Sequence, residues 1–305
     1  MRRSAKGQAI GLDQLRAGGK PALARALSAV ETGRSDALLD AAFTAPKGVV
    51  LGLTGPPGVG KSTLTAALIP RLRSQGRRVG VIAVDPSSRR SGGALLGDRT
   101  RIRHDPMDDG VFIRSMAARD RLGGVAEVTF SAMVLMRATQ DVVIVETVGV
   151  GQSEAEIADL ADAVVFCAEP GAGDALQFMK AGVVETPDLV LVTKGDAGPQ
   201  AQRTAADLRG ALSLAAQQPV PVAVVSAMHA AGLDVLDPLL GRLAGDAGAL
   251  GQRRACQAAV WVRAQIQADF GRIGLGAIES ELPSRCDAPF SRLTQLKSKL
   301  SVKKD

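Results

Sequence analysis

The chain has 305 residues, with 37 Lys and Arg against 31 Asp and Glu, for a formal net charge of +6. An apolar content of 46% excludes a disordered chain, and three Cys with two distant His supply neither a disulfide framework nor a His-based metal site. Aromatics make up 3%, with no Tyr, so base-stacking platforms are scarce and the basic charge is not read as nucleic-acid binding.

Residues 1–12 carry Arg2, Arg3 and Lys6 and no acid, but no apolar core follows, so they do not form a secretory signal. No apolar run reaches the roughly 18–20 residues of a membrane span. With so few cysteines, a reducing cytoplasm is the expected location. Over residues 13–43, Leu15, Leu23, Leu27, Val30, Leu38 and Leu39 recur at helical spacing. Gly18-Gly19 and Gly33 interrupt the stretch, which predicts two helices joined by a short turn. From residue 47 short β-branched runs alternate with helical stretches. Strands are predicted at Val49–Thr54, Val79–Val84, Val142–Glu146, Ala163–Ala168, Leu189–Thr193 and Val222–Ser226. Near-continuous apolar strands separated by helices predict an α/β fold, a mostly parallel sheet flanked by helices. The 16-residue interval Lys61–Gly76 fits a crossover helix, with a kink or early break expected at Pro70.

Residues 86–125 are poor in strand signal and hold eight Arg against five Asp, so they read as a functional loop region. Residues 250–282 return to helical spacing through Ala258, Trp261, Val262, Ile266 and Phe270. The segment 292–305, with five Lys/Arg and one Asp, reads as a solvated, mobile tail. The charge is thus unevenly placed: +3 over 1–12, +3 over 86–125, +4 over 292–305, and −4 over the rest.

Gly55-Pro56-Pro57-Gly58-Val59-Gly60-Lys61-Ser62 matches the phosphate-binding loop at all its fixed positions, between an apolar strand and a helical stretch. Glycines let backbone N–H groups converge on phosphate oxygens, and a helix N-terminus adds positive potential. Gly55, Gly58, Val59, Gly60, Lys61, Ser62 and Thr63 are therefore candidate nucleotide contacts, with Lys61 reaching the β- and γ-phosphates and the Ser62 hydroxyl ligating Mg²⁺. A magnesium site also needs carboxylates at neighbouring strand ends. Asp85 and Glu146 each close a predicted strand at its carboxyl end, the edge where open α/β sheets bind ligands. Gly149, shortly after Glu146, can offer its amide to the γ-phosphate and move when phosphate leaves.

Thr193-Lys194-Gly195-Asp196 follows the predicted strand at 189–193. It is the x-Lys-x-Asp pattern of guanine-reading nucleotidases. A carboxylate at Asp196 can accept from guanine N1–H and N2–H₂, which adenine cannot offer, so such a site favours GTP over ATP. The Lys194 stem can lie along the purine, and Ser226-Ala227, ending the next strand, resembles the last guanine-contacting loop.

Longer strings carry a family pattern. Val84-Asp85-Pro86-Ser87-Ser88, Gly92–Arg101, Glu146–Glu154 and Pro170–Asp174 resemble the MeaB/ArgK family, the methylmalonyl-CoA-mutase-associated GTPases of the SIMIBI P-loop class. The resemblance runs over roughly residues 15–275 and implies a P-loop NTPase with helical N- and C-terminal extensions. Its expected organisation is a helical extension over 1–45, a GTPase domain over 46–245, and a helical extension with dimer contacts and a basic tail over 246–305. It implies a GTP/GDP-binding, Mg²⁺-dependent GTPase that protects and reactivates an adenosylcobalamin-dependent acyl-CoA mutase and gates its cofactor loading. The resemblance also implies a homodimer, with C-terminal helices contributing contacts. Position by position, Lys61, Ser62, Asp85, Asp98 and Glu146 match the family's Mg·GTP residues, and Arg101 matches a switch arginine that aids hydrolysis. Lys61, Asp98 and Arg101 are the catalytic candidates.

Three departures stand out. Thr193 stands where the family more often has Asn, the stretch 175–181 lacks an acid and a Lys, and 280–305 is unlike the family. Two other readings share the loop: a nickel-type metallochaperone GTPase, which needs a His-rich or paired Cys/His segment, and a kinase acting on a small substrate or transport protein. A nucleotide-gated interaction module without turnover is a third.

Overall fold

The computed structural model describes residues 10–31, 36–86, 102, 104–118, 127–147, 157–171, 187–215 and 219–302. Seven strands among them form one sheet: β1 (Val49–Thr54), β2 (Val79–Pro86), β3 (Val111–Ala118), β4 (Val142–Glu146), β5 (Ala163–Ala168), β6 (Leu189–Val192) and β7 (Val222–Val224). Their order is β3-β2-β4-β1-β5-β6-β7 and every pairing is parallel. Such a sheet must be covered on both faces, and its strands are Val-, Ile- and Leu-rich because both rows of side chains are buried. β1 shows the alternation. Val50 joins one apolar layer, while Leu51 and Leu53 join the other.

The helices divide between those layers. On the Leu51 face lie α4 (Lys61–Ser74) and α7 (Leu236–Gly245), through Leu64, Leu68, Leu239 and Leu240. On the Val50 face lie α1 (Leu12–Ala17), α2 (Gly19–Glu31), α3 (Asp36–Thr44), α5 (Glu127–Thr139), α6 (Pro199–Ala215), α8 (Ala247–Gly276) and α9 (Pro289–Val302). The first and last helices thus share one core layer. Phe43, Phe130, Trp261 and Phe290 join α3, α5, α8 and α9, with Phe130 stacked on Trp261 at 4.5 Å between ring centroids.

Four expectations are corrected. Among the described residues the N-terminal helical stretch holds three helices, with Gly18 between the first two. The 86–125 region contains β3, whose apolar pattern is interrupted by Arg114 and Ser115. An edge strand tolerates such residues because it has only one paired neighbour, here β2. Pro70 does not break α4, which runs on to Ser74: Leu68, Ile69 and Leu72 are buried around it while Pro70 is exposed, and packing outweighs the lost hydrogen bond.

The fourth correction concerns the basic tail. Residues 289–302 form α9, with Phe290, Leu293, Leu296 and Leu300 buried at helical spacing and the Lys residues on the outer side. Asp40 of α3 caps this helix, its two carboxylate oxygens accepting from the amides of Phe290 and Ser291 at 3.0 Å each. Thr294 Oγ1 donates to Asp36 Oδ2 at 2.7 Å on the same helix pair. Leu296→Ala is therefore expected to destabilise the fold by about 2–5 kcal/mol in urea denaturation. An unchanged midpoint would restore the reading of a solvated tail.

Candidate functional site

The carboxyl edge of the sheet gathers the motifs. β1 ends at Thr54, runs through the loop 55–60, and enters α4 at Lys61. Gly58 (φ 78°) and Gly60 (φ 98°) adopt the left-handed region, and a Cβ on either would meet nothing within 4 Å. The backbone sign therefore requires glycine at these positions, and the space beside them is open. Between them Val59 is fully buried and pins the loop into the core. Gly60 is the N-cap of α4 and no side chain caps that end, so the first-turn amides keep their donors for a ligand. Lys61 Nζ donates to the carbonyl oxygens of Gly55 at 2.7 Å and Pro56 at 3.0 Å, which holds the ammonium against the loop. Thr63, by contrast, is exposed.

Ser62 and Glu146 meet directly. Ser62 Oγ donates to Glu146 Oε1, and Thr65 Oγ1 lies 3.2 Å from Glu146 Oε2. Glu146 ends β4, beside Leu53 of β1 and Ala83 of β2. Asp85 lies two residues further along β2, at the same sheet edge. A buried carboxylate beside a hydroxyl on the first turn of α4 is an all-oxygen donor set, the kind Mg²⁺ takes. The residues present therefore fit the ion. Asp98, Arg101 and Gly149 lie outside the described residues.

The second motif sits against the first. Thr193 Oγ1 lies 2.6 Å from Val59 O and 3.0 Å from Ala168 O, so its hydroxyl ties the end of β6 to the phosphate loop and to β5. Lys194 takes a left-handed conformation (φ 52°, ψ 42°), and its Nζ pairs with Glu169 Oε2 at 2.6 Å. Gly195 N donates to Val225 O at 2.9 Å, and a Cβ there would press within 3.0 Å of that strand end. Asp196 Oδ1 accepts from Ser226 Oγ at 2.9 Å. That bond, with the residue's own backbone amide and nearby His229, holds the Asp196 carboxyl below the usual carboxylate range. Ser226 is fixed in turn by paired backbone bonds with Ala231, both 3.0 Å, and Ala227 follows in the same turn.

The candidate phosphate cradle, the carboxylate–hydroxyl pair and the candidate base-reading loop thus share one edge. Sequence reasoning missed Thr65, Glu169 and His229. Thr65 lies three positions after Ser62 on one helix face, which was a usable signal; the other two are brought in by the fold. Cys167, on β5 behind Gly55, is buried and its thiol is pushed up to about 12, chiefly by that burial.

A sequence model of the methylmalonyl-CoA mutase-associated GTPases, MeaB, matches residues 23–273. The chain belongs to this family. A Caulobacter vibrioides protein that carries a provisional GTPase name is 42% identical over 270 residues, 83% of this chain and 83% of that one. GTPase ArgK of Escherichia coli is 42% identical over 191 residues, 60% of this chain and 58% of its own. The mouse mitochondrial methylmalonic aciduria type A homolog is 46% identical over 167 residues, 54% of this chain and 40% of that longer protein. Among solved structures, one titled a LAO/AO transport system kinase superposes with a TM-score of 0.65 at 28% identity, covering 95% of this chain and 96% of its own. The nickel complex of HypB from Helicobacter pylori (TM-score 0.52, 18% identity, 69% of this chain, 94% of its own) shares the fold. The MeaB-family chain is accordingly a P-loop GTPase by family and by fold.

Proposed function

We propose that this MeaB-family protein is a magnesium-dependent GTPase that protects and reactivates an adenosylcobalamin-dependent acyl-CoA mutase and gates its cofactor loading, acting as a cytoplasmic homodimer. The observation that carries the nucleotide part is the bond from Thr193 Oγ1 to Val59 O, which sets the base-reading loop and the phosphate loop in one frame. The family's description and the mouse relative's name support the mutase as partner.

In this reading the amides of residues 58–63 hold the phosphates, and Lys61 moves from the Gly55 and Pro56 carbonyls to the β- and γ-phosphates. Gly149 offers its amide to the γ-phosphate. Asp196, with Lys194, Ser226 and Ala227, reads guanine. Ser62, Asp85, Asp98 and Glu146 would hold Mg²⁺, which when bound would neutralise charge on the phosphate oxygens. Water attacks the γ-phosphorus, the bond to the β–γ bridging oxygen breaks, and GDP and phosphate leave. The protein contributes positioning and charge, so turnover by the chain alone is slow.

Arg101 supplies the remaining charge in the complex with the partner. Steady-state GTP hydrolysis with and without the host's mutase tests the whole reading. Stimulation is expected in the native protein, and Arg101→Ala is expected to cut the stimulated rate by about 10³-fold or more. Stimulated turnover unchanged by the substitution removes Arg101 from this role, and failure of any candidate mutase to stimulate removes the partner. Transfer of label from γ-labelled GTP to a small acceptor or transport protein would favour the kinase reading instead.

A further inference from the structure

The opposite edge of the sheet holds a feature that the nucleotide reading does not use. There the entry ends of β1 and β4 open into a cavity of about 790 Å³, within the range that organic ligands fill. Phe43, Leu240, Leu243 and Leu250 form its apolar walls, and Lys47, Arg77 and Arg254 supply cations.

Those cations differ in how they are compensated. Lys47 pairs with Asp141 at 3.2 Å. Arg254 is buried and makes two bonds to Asp162, at 2.7 and 2.6 Å, with a third to Gly48 O at 3.0 Å. Arg77 has no carboxylate partner among the described residues. Behind Phe43 lies a further guanidinium, Arg137, whose carbon sits 5.3 Å from the ring centroid. Arg137 is 1% exposed, and its Nε and Nη2 have no hydrogen-bond acceptor among the described residues. Arg137 and Arg254 both lean on the single carboxylate of Asp162. The acidic lining residue left over, Asp287, is exposed, so it does not offset the buried surplus. The inner wall is therefore apolar and positive together, a combination that favours a negative charge delivered on an apolar body.

We infer that this cavity binds an amphipathic organic anion, with its apolar body against Phe43, Leu240, Leu243 and Leu250 and its carboxylate or phosphate head at Arg77. The site is separate from the nucleotide edge and does not depend on which nucleotide that edge takes.

The full-length protein is titrated by calorimetry with dodecanoate, dodecyl phosphate and dodecanol. One saturable site per chain is expected, with at least one of the two anions binding about tenfold or more tightly than the alcohol. The tighter head group names the ligand class. Two substitutions locate the site. Gly251 lines the cavity from α8, and a Cβ there meets nothing within 4 Å, so Gly251→Leu fills the space while favouring the helix. It is expected to abolish binding without lowering the melting temperature. Arg77→Gln is expected to remove the preference for anion over alcohol. Neither position belongs to the nucleotide site, so GTP turnover serves as the control for folding and is expected to stay unchanged. The inference is overturned if neither anion saturates, if dodecanol binds as tightly as the anions, or if both variants bind like the native protein.

Discussion

Asp196→Asn is expected to lower GTP affinity by about 10²–10⁴-fold while opening the site to xanthosine triphosphate. In the proposed site the carboxylate supplies two acceptors for guanine N1–H and N2–H₂, and each is a hydrogen bond to an ionised group. An amide keeps one acceptor and turns the other into a donor. Guanine then presents a donor to a donor, whereas xanthine, with a carbonyl in place of the amino group, matches the new pattern. The substitution is nearly isosteric, and the Ser226 hydroxyl that orients Asp196 at 2.9 Å can still donate to the amide oxygen. Loop position should therefore survive and base choice alone should change. Nucleotide binding measured for GTP, ATP and xanthosine triphosphate decides it. Equal losses for all three would mean that the loop at 193–196 holds its shape but does not read the base. Because Ser226 and the backbone amide already favour the ionised carboxyl, native GTP binding is also expected to stay level as pH falls through about 5.

The candidate site was largely legible before the fold because its parts are local. A phosphate loop is a run of eight adjacent residues, and a base-reading motif a run of four, so spacing alone exposes them. The strands that carry them, buried on both faces, announce themselves as apolar runs, and β1, β4 and β5 fall on the predicted residues. What was not legible is what distance in sequence hides. β3 reads poorly because an edge strand can hold Arg114 and Ser115. The basic C-terminal segment reads as tail because its Leu residues are spaced among Lys, and only the fold brings Asp40, some 250 residues earlier, to cap it. The same holds for Thr193, where Asn would have been the expected residue. Its hydroxyl performs the tie to Val59 O, which no local pattern reveals.

The largest stability effect is expected at a place that no motif singles out. Asp162 is fully buried at the start of β5, accepting from Val50 N at 2.7 Å and from two nitrogens of Arg254. Among the described residues it is also the only carboxylate that draws Arg137 toward its charged form, while burial and the charge of Arg254 together push Arg137 down to about 9. One anion therefore serves two buried guanidiniums. Asp162→Asn keeps the volume and one acceptor but removes that charge, and is expected to cost about 3–5 kcal/mol in urea denaturation. Arg137→Met should behave differently. It deletes a buried cation whose Nε and Nη2 have no acceptor among the described residues, at the loss of its contact with the Phe43 ring, worth about 0.5–2 kcal/mol. The two terms oppose each other, so the single substitution is expected to be close to neutral. In the Asp162→Asn background the balance shifts, because the second uncompensated cation is then removed and only Arg254 is left without its partner. The double variant is expected to recover about 1–3 kcal/mol of what Asp162→Asn loses, a coupling that a double-mutant cycle reads directly. Strict additivity of the two substitutions would show that Arg137 and Arg254 do not share the carboxylate, and that the positive charge at this edge of the sheet is balanced in some other way.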